Sequence, residues 1–329
     1  MIIASAPGRC GIVGNPTDMY GGSVLSISTR ERARCALSRS NELLIASSGE
    51  KANLDHRNDL VLRGDKLDIA RAVLTWFEID PSTAQFSLDI STEIPMQAGM
   101  AGSTALVVVV VGALDRHFSW KLHPWAVAET ARKIENRIMG VVCGLQDQHM
   151  AVFGGLNYMD FARKERLEQR DDEPLATIEP LQFYASPVPL ISAHTGIQHH
   201  SGTVHKSPRE RWLAGEQLVI ESYIRIAELA RLGKRALLEG DWKKLGALMN
   251  ENHAIVARLG GSGPANDRLI EAALNAGAYG AKLAGAGGGG TILALADDQE
   301  RVRAALLEAG ADSLRTPIPS PGLTVEVIQ

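Results

Sequence analysis

A short, densely charged interval divides the chain into two halves of similar makeup. It runs from Arg163 to Glu173, and Pro174 follows it directly. On both sides of it, short alternating apolar runs typical of strands are interleaved with apolar residues at helical spacing. Charged clusters and prolines between such runs are typical of boundaries between domains. The sequence therefore predicts an α+β protein of two domains, 1–172 and 173–329.

The composition is that of an ordinary globular protein. The chain has 329 residues and a formal net charge of -4, which disfavours nucleic-acid binding. The strongest apolar run, Ala105 to Leu114, is too short to span a bilayer, and the first residues lack the pattern of a signal peptide. Cys10, Cys35 and Cys143 are far apart, so they predict neither a disulfide framework nor a metal-binding pair. We expect a cytoplasmic protein without nucleic-acid or membrane partners.

A glycine loop in the first half has features of a phosphate-binding site. The stretch I-P-M-Q-A-G-M-A-G-S-T-A-L runs from Ile94 to Leu106. Its glycines let the backbone approach a ligand, and a helix start after them would present N–H groups and partial positive charge to phosphate. Ser103 and Thr104 can cap such a helix, and Ser103 can also ligate magnesium. The loop lacks the lysine of a P-loop, and Val107–Val111 favours a strand by local propensity, so an ordinary turn before a buried strand is the alternative.

Two further stretches combine polar or glycine residues with small neighbours. A-P-G-R-C-G-I-V-G-N-P-T-D-M-Y-G-G follows a predicted strand that ends at Pro7-Gly8. Its amide and carboxylate side chains suit sugar hydroxyls, although N-P-T-D also suits a turn. K-L-A-G-A-G-G-G-G-T, from Lys282 to Thr291, has five glycines in six residues. It predicts either a backbone-lined wall or a flexible surface turn.

In this order and at this spacing, the three stretches resemble the motifs of the GHMP kinase family, which includes galacto-, homoserine, mevalonate and phosphomevalonate kinases. The matching segments are Pro7–Tyr20, Pro95–Ala105 and Lys282–Gly290, and the resemblance covers nearly the whole chain. It implies an N-terminal α+β nucleotide-binding domain followed by a C-terminal ferredoxin-like α+β domain. It also implies ATP and Mg²⁺ as cofactors and phosphoryl transfer to an alcohol.

The resemblance assigns roles to individual residues. C-G-L-Q-D-Q, from Cys143 to Gln148, resembles the context of the carboxylate that faces the acceptor hydroxyl, so Asp147 is the implied base or orienting anion. Arg9 would stabilise charge on the transferring phosphoryl group. Glu135, twelve positions before Asp147, matches an acid that helps to hold magnesium, together with Ser103. The implied phosphate contacts are Pro95, Gln97, Ala98, Gly99, Ala101, Gly102, Ser103 and Thr104, and the implied substrate contacts are Asn15, Asp18, Tyr20, Gly144, Gly287, Lys206 and Arg211.

Several runs, among them V-G-N-P-T-D-M-Y-G-G and Gly202–Glu216, look most like the glucuronokinase branch of the family. This likeness implies phosphorylation of D-glucuronate at C1. Where galactokinase-type members carry G-E-H-T-D-Y, this chain has Asn15 and Pro16, which argues against galactose. A sugar acid needs cationic partners, and Lys206, Arg209 and Arg211 are candidates, although a solvated helix start also explains the arginines. Heptose phosphate, fucose, arabinose or galactose-type sugars are the alternative acceptors.

Two other classes of protein and one other kind of site stay open on the sequence alone. A non-catalytic sugar- or nucleotide-binding regulator is disfavoured because all the implied catalytic residues are retained. A Rossmann oxidoreductase would need a complete G-x-G-x-x-G, of which residues 99–102 supply half. Four histidines between His194 and Lys206 are compatible with a transition-metal site, but no cysteine accompanies them.

Overall fold

The computed structural model describes residues 1–164, 173–197, 207–285 and 290–328 of the chain. Within these residues the strands form one sheet of eight and one sheet of four. Helices pack against both sheets. The predicted α+β class is confirmed.

The large sheet has the order β12-β1-β2-β5-β3-β4, and β6 pairs with β2 and β7. All of its pairs are antiparallel except that of β3 with β5. The first strand does not end at Pro7-Gly8 as predicted, because a register shift between Pro7 and Arg9 lets the pairing continue. The strands are β1 (Ile2–Val13), β2 (Ser23–Arg39), β3 (Leu43–Ser47), β4 (Glu50–Leu54), β5 (Phe86–Thr92), β6 (Leu156–Asp160), β7 (Thr177–Pro180) and β12 (Thr324–Val327).

The described part of the first half of the chain contains four α-helices, and one of them is buried between the large sheet and the other three. They are α1 (Asp68–Trp76), α2 (Gly102–Phe118), α3 (Pro124–Lys133) and α4 (Gln146–Phe153). Every residue of α2 from Thr104 to Leu114 is buried, because the helix packs between the sheet and the other three helices. The interpretation of Val107–Val111 as a strand is therefore wrong. Burial on all sides outweighs the modest strand preference of valine.

The small sheet has the order β11-β8-β10-β9, and all its pairs are antiparallel. It contains β8 (Leu190–His194), β9 (Gly280–Leu283), β10 (Thr291–Leu295) and β11 (Ser313–Arg315). Leu269, Val302 and Leu306 belong to the core that two of the helices build against this sheet. The helices of this half are α5 (Pro208–Leu213), α6 (Gln217–Glu239), α7 (Trp242–Arg258), α8 (Pro264–Asn275) and α9 (Gln299–Glu308).

The two halves of the chain are joined through the large sheet. Strand β7 pairs with β6, and β12 pairs with β1 through partners such as Ile2 and Val327. Helix α6 also packs on β2. Both strands follow residue 172, so the large sheet contains residues of both predicted domains. The domain division at residue 172 stays a prediction. No helix in the described part of the chain has the length and apolar character needed to cross a membrane.

Candidate active site

Backbone hydrogen bonds bring the three sequence stretches together. The Arg9 N–H donates to the carbonyl of Met100 at 3.1 Å. Two residues further along β1, the Gly11 N–H donates to the carbonyl of Ala284 at 3.0 Å. The end of β1 therefore lies between the two glycine loops, although Met100 and Ala284 are far apart in the sequence.

The two glycine loops also touch each other, backbone against backbone. A Cβ on Gly285 would lie 2.6 Å from the Gly99 carbonyl oxygen, and one on Gly290 would lie 2.8 Å from the Ala98 carbonyl oxygen. Such distances leave no room for a side chain, so the close approach explains the glycines at both positions. Gly287, a predicted substrate contact, lies outside the described residues.

The first glycine loop ends at the start of α2. Ala101 precedes the helix with φ 63°, and no side chain caps this end. Ser103 and Thr104 therefore do not cap the helix as predicted, because both lie inside its first turn. The first N–H groups of a helix have no intrahelical acceptor, so this end can receive an anion. Of the predicted phosphate contacts, Ala98, Gly102 and Thr104 are buried, whereas Pro95, Gln97, Gly99, Ala101 and Ser103 retain access to solvent.

Arg9 holds Asp147 in a bidentate ion pair beside this loop. Its Nε and Nη2 donate to the two carboxylate oxygens at 2.7 and 2.9 Å. Its Nη1 donates to the Gly99 carbonyl. The arginine side chain is 9% exposed and the aspartate 28%. The carboxylate is therefore fixed in orientation while part of it remains open to a ligand.

Asp18 fixes the backbone on which Asp147 stands. Its Oδ2 accepts from the N–H groups of Leu145 at 2.7 Å and Gln146 at 2.9 Å, which caps the start of α4. Burial raises the pKa of Asp18, and these two N–H donors oppose the increase. A Cβ on Gly144 would lie 1.9 Å from the same oxygen. Asp18 and Gly144, both predicted to contact substrate, thus also place the first turn of α4.

Glu135 lies in a π-helical turn, Ile134–Ile138, and is 3% exposed. It accepts from Thr104 Oγ1 at 2.8 Å and from Gln148 Nε2 at 2.6 Å. Burial raises its pKa to about 7. Through Thr104, the Glu135 carboxylate is bonded to the first turn of α2, and Ser103 is the residue before Thr104. A carboxylate and a hydroxyl are hard oxygen ligands of the kind that Mg²⁺ takes alongside phosphate oxygens and water. The residues present therefore fit the predicted metal, although the described residues contain no group of three or more Asp, Glu, His or Cys side chains placed to hold a metal ion without other ligands.

Lys282 is a part of the site that the sequence did not single out. It is 1% exposed, and its Nζ donates to Asn15 Oδ1 at 2.8 Å, to the Gly11 carbonyl at 3.2 Å and to the Leu283 carbonyl. Burial lowers its pKa to about 7. Asn15, a predicted sugar contact, uses its Nδ2 for a longer bond of 3.4 Å to Gly285. The sequence signal that could have identified Lys282 was its position at the start of the second glycine loop.

Tyr20, another predicted substrate contact, lies in an aromatic cluster. Tyr20 packs against Tyr223, with ring centroids 4.5 Å apart, and against Trp212 at 5.0 Å. Arg211 is engaged elsewhere, because its guanidinium donates to Glu216 at 2.6 and 2.9 Å and to a carbonyl at 3.2 Å. Lys206 and most of the histidine-rich segment lie outside the described residues. The site roles predicted from the sequence stay predictions.

Comparison with known proteins defines the class. Residues 67–155 match the GHMP kinases N terminal domain and residues 234–312 match the GHMP kinases C terminal domain. Glucuronokinase 1 of Arabidopsis thaliana is 32% identical over 305 residues, which cover 85% of this chain and 81% of that protein. Mevalonate kinase of Pyrococcus horikoshii is 28% identical over 346 residues, covering 99% and 98%. The crystal structure of a D-glycero-D-manno-heptose 1-phosphate kinase from Bacteriodes thetaiotaomicron superposes with a TM-score of 0.77 at 21% identity, covering 100% of both chains.

Fold and relatives together define a kinase that transfers phosphate from ATP to an alcohol group. The chain belongs to the GHMP kinase family. The predicted family and its two-domain fold are confirmed.

Proposed function

We propose that the chain transfers the γ-phosphoryl group of ATP to the anomeric C1 hydroxyl of D-glucuronate, with Mg²⁺ as cofactor. The products are glucuronate 1-phosphate and ADP. The choice of acceptor is supported by the 32% identity to a protein named glucuronokinase. The transfer chemistry is supported by one observation above all, the bidentate pair of Arg9 and Asp147 beside the first glycine loop.

In this proposal Asp147 orients the acceptor hydroxyl toward the γ-phosphorus and receives its proton as the new P–O bond forms. Phosphoryl transfer passes through a loose transition state that depends more on positioning than on a strong base. The carboxylate is positioned from two sides, by Arg9 and by the Asp18 cap on α4. Holding the two reactants in the reactive geometry speeds the reaction, because less entropy is then lost in reaching the transition state than when they meet free in solution.

The phosphates are proposed to lie against the first glycine loop and the start of α2. The N–H groups there provide donors and partial positive charge. Ser103 and Glu135 would hold Mg²⁺, which when bound neutralises charge on the phosphate oxygens. Thr104 and Gln148 keep the Glu135 carboxylate in place by donating to it. For the sugar, we propose contacts with Asp18, with Asn15 and with the aromatic ring of Tyr20.

The proposal is tested by measuring ADP release with a panel of acceptors. The panel contains glucuronate, galacturonate, glucose, galactose, fucose, arabinose, a heptose phosphate and mevalonate. We expect the highest kcat/KM with glucuronate, and NMR of the product should show phosphate on the anomeric oxygen.

Other outcomes have distinct meanings. Robust release with heptose phosphate, fucose, arabinose or galactose, and none with glucuronate, would move the assignment to another sugar. ATP binding without release on any acceptor would favour a non-catalytic regulator.

A further inference from the structure

Three aromatic side chains form a wall beside Asp18, the residue that caps the helix carrying Asp147. It is formed by Tyr20, Tyr223 and Trp212, whose ring contacts are 4.5 and 5.0 Å. Burial raises the pKa of Tyr223 to about 12, and the negative charge of Asp18 adds to this increase. Asp18 stands two residues before Tyr20 and caps α4. The wall is therefore near both the cap and the start of the helix that carries Asp147.

Arg209 lies on the same side of α5 as this wall. It is three residues before Trp212, and residues at this spacing share a helix face. Burial raises the pKa of Tyr20, and the positive charge of Arg209 opposes the increase, as expected for a cation near the ring. Arg209 thus brings a positive charge to the edge of the wall.

One nitrogen of the Arg209 guanidinium lacks a hydrogen-bond partner in the described part of the chain. That nitrogen, the Nε, is buried. The neighbouring Arg211 is different, because Glu216 binds its guanidinium through two bonds. A buried N–H donor without an acceptor costs free energy, and a bidentate oxyanion is the ligand that best relieves such a cost for arginine.

We propose that Arg209 binds an oxyanion carried by the acceptor, while the acceptor's reacting hydroxyl faces Asp147. The oxyanion is the carboxylate if the acceptor is a sugar acid or a hydroxy acid, and a phosphate if it is a sugar phosphate. This inference rests on the proposed transfer at Asp147, and it adds that the acceptor is selected by its charge. Arg209 then replaces Arg211, which the resemblance had implied as a substrate contact, as the residue that binds the anion.

The test compares Arg209→Met with Arg209→Lys and with the matched control Arg231→Met. Arg231 is an exposed residue of α6. KM and kcat are measured for D-glucuronate and for D-glucose, which has the same ring with a neutral hydroxymethyl group. Binding of both sugars is also measured by calorimetry with a non-hydrolysable ATP analogue, so that slow turnover of glucose does not limit the comparison.

A lost charge-assisted pair of hydrogen bonds corresponds to roughly a 10- to 100-fold change in an equilibrium constant. We expect Arg209→Met to raise KM and Kd for glucuronate by about this factor, while those for glucose and the KM for ATP change less than about threefold. Arg209→Lys should recover part of the loss, and Arg231→Met should match the wild type. Unchanged glucuronate affinity in Arg209→Met, or an equal loss for both sugars, would overturn the inference.

The same experiment separates this inference from the proposed function. If glucuronate is inert but heptose phosphate or mevalonate is turned over, the variants are measured with that acceptor. A selective loss in Arg209→Met would then keep the inference and reject glucuronate. If glucuronate is turned over but Arg209→Met binds it normally, the proposed function stands and the inference fails. If only neutral sugars react, both are wrong.

Discussion

Gly144→Ala is expected to damage catalysis through Asp18, without touching a reacting atom. The new Cβ would lie 1.9 Å from Asp18 Oδ2 and 2.6 Å from its Cγ, whereas unstrained contacts need more than about 3 Å. The carboxylate must therefore move by about 1 Å, which breaks its bonds to the N–H groups of Leu145 and Gln146.

The expected loss of stability follows from the two hydrogen bonds of Asp18 that break. Each hydrogen bond to a charged group contributes about 1.5–3 kcal/mol, so after partial relaxation we expect a loss of about 3 kcal/mol in the free energy of unfolding. A shift of about 1 Å at the start of α4 would lower kcat by about 100-fold, because Asp147 is in the first turn of that helix. Urea unfolding and ADP release measure the two quantities.

Two controls make this prediction specific. Gly233→Ala in α6 places a Cβ at an ordinary 3.6 Å from Leu245 and Val13, so stability should be unchanged or higher. In an Asp18→Ala background, Gly144→Ala should cost little more, because the clashing carboxylate is gone. An equal cost in both backgrounds would refute the role assigned to Asp18.

Three other perturbations have defined outcomes. Ser103→Ala should raise the magnesium concentration needed for half-maximal ADP release several-fold, and an unchanged titration would count against Ser103 as a ligand. Burial lowers the pKa of Lys282 from 10.5 to about 7, so between these pH values the unfolded chain binds a proton at Lys282 that the folded chain does not. In urea titrations, the free energy of unfolding of the wild type should therefore increase relative to that of Lys282→Met as pH rises from about 7 to about 10. A constant difference between the two proteins would contradict this. Arg71 is 1% exposed and pairs with Asp65 and Asp68 at 2.6 and 2.7 Å, so Arg71→Met should lower the free energy of unfolding by about 2 kcal/mol, with kcat unchanged at temperatures where the variant is folded.

The sequence predicted the elements whose signals are local. Apolar spacing predicted that helices and strands are interleaved in both halves of the chain, and glycine content located the two loops that pack together. The same local reasoning failed at Val107–Val111, where strand preference was overridden because α2 is buried on all sides. Propensity describes one segment, whereas burial depends on every segment around it.

The roles of individual polar residues were harder to predict because their partners are distant in sequence. Asp18 was expected at the sugar, but its contact with the start of α4 spans 127 positions. Lys282 was passed over because its bond to Asn15 spans 267 positions. Arg211 was the implied substrate contact and Arg209 only a further candidate cation. Their partners in space reverse this preference, because Glu216 binds Arg211 whereas the Nε of Arg209 has no hydrogen-bond partner among the described residues.

The central claim is that Asp147, held by Arg9 beside the glycine loops, directs an acceptor hydroxyl at ATP. The most direct measurement is the rate of ADP release by Asp147→Asn at saturating acceptor, together with its Kd for ATP. Asparagine keeps the size of the side chain but removes the charge that Arg9 binds and the site that receives the proton. We predict a fall in kcat of at least about 1000-fold with the ATP Kd nearly unchanged. Turnover close to that of the wild type would contradict the account.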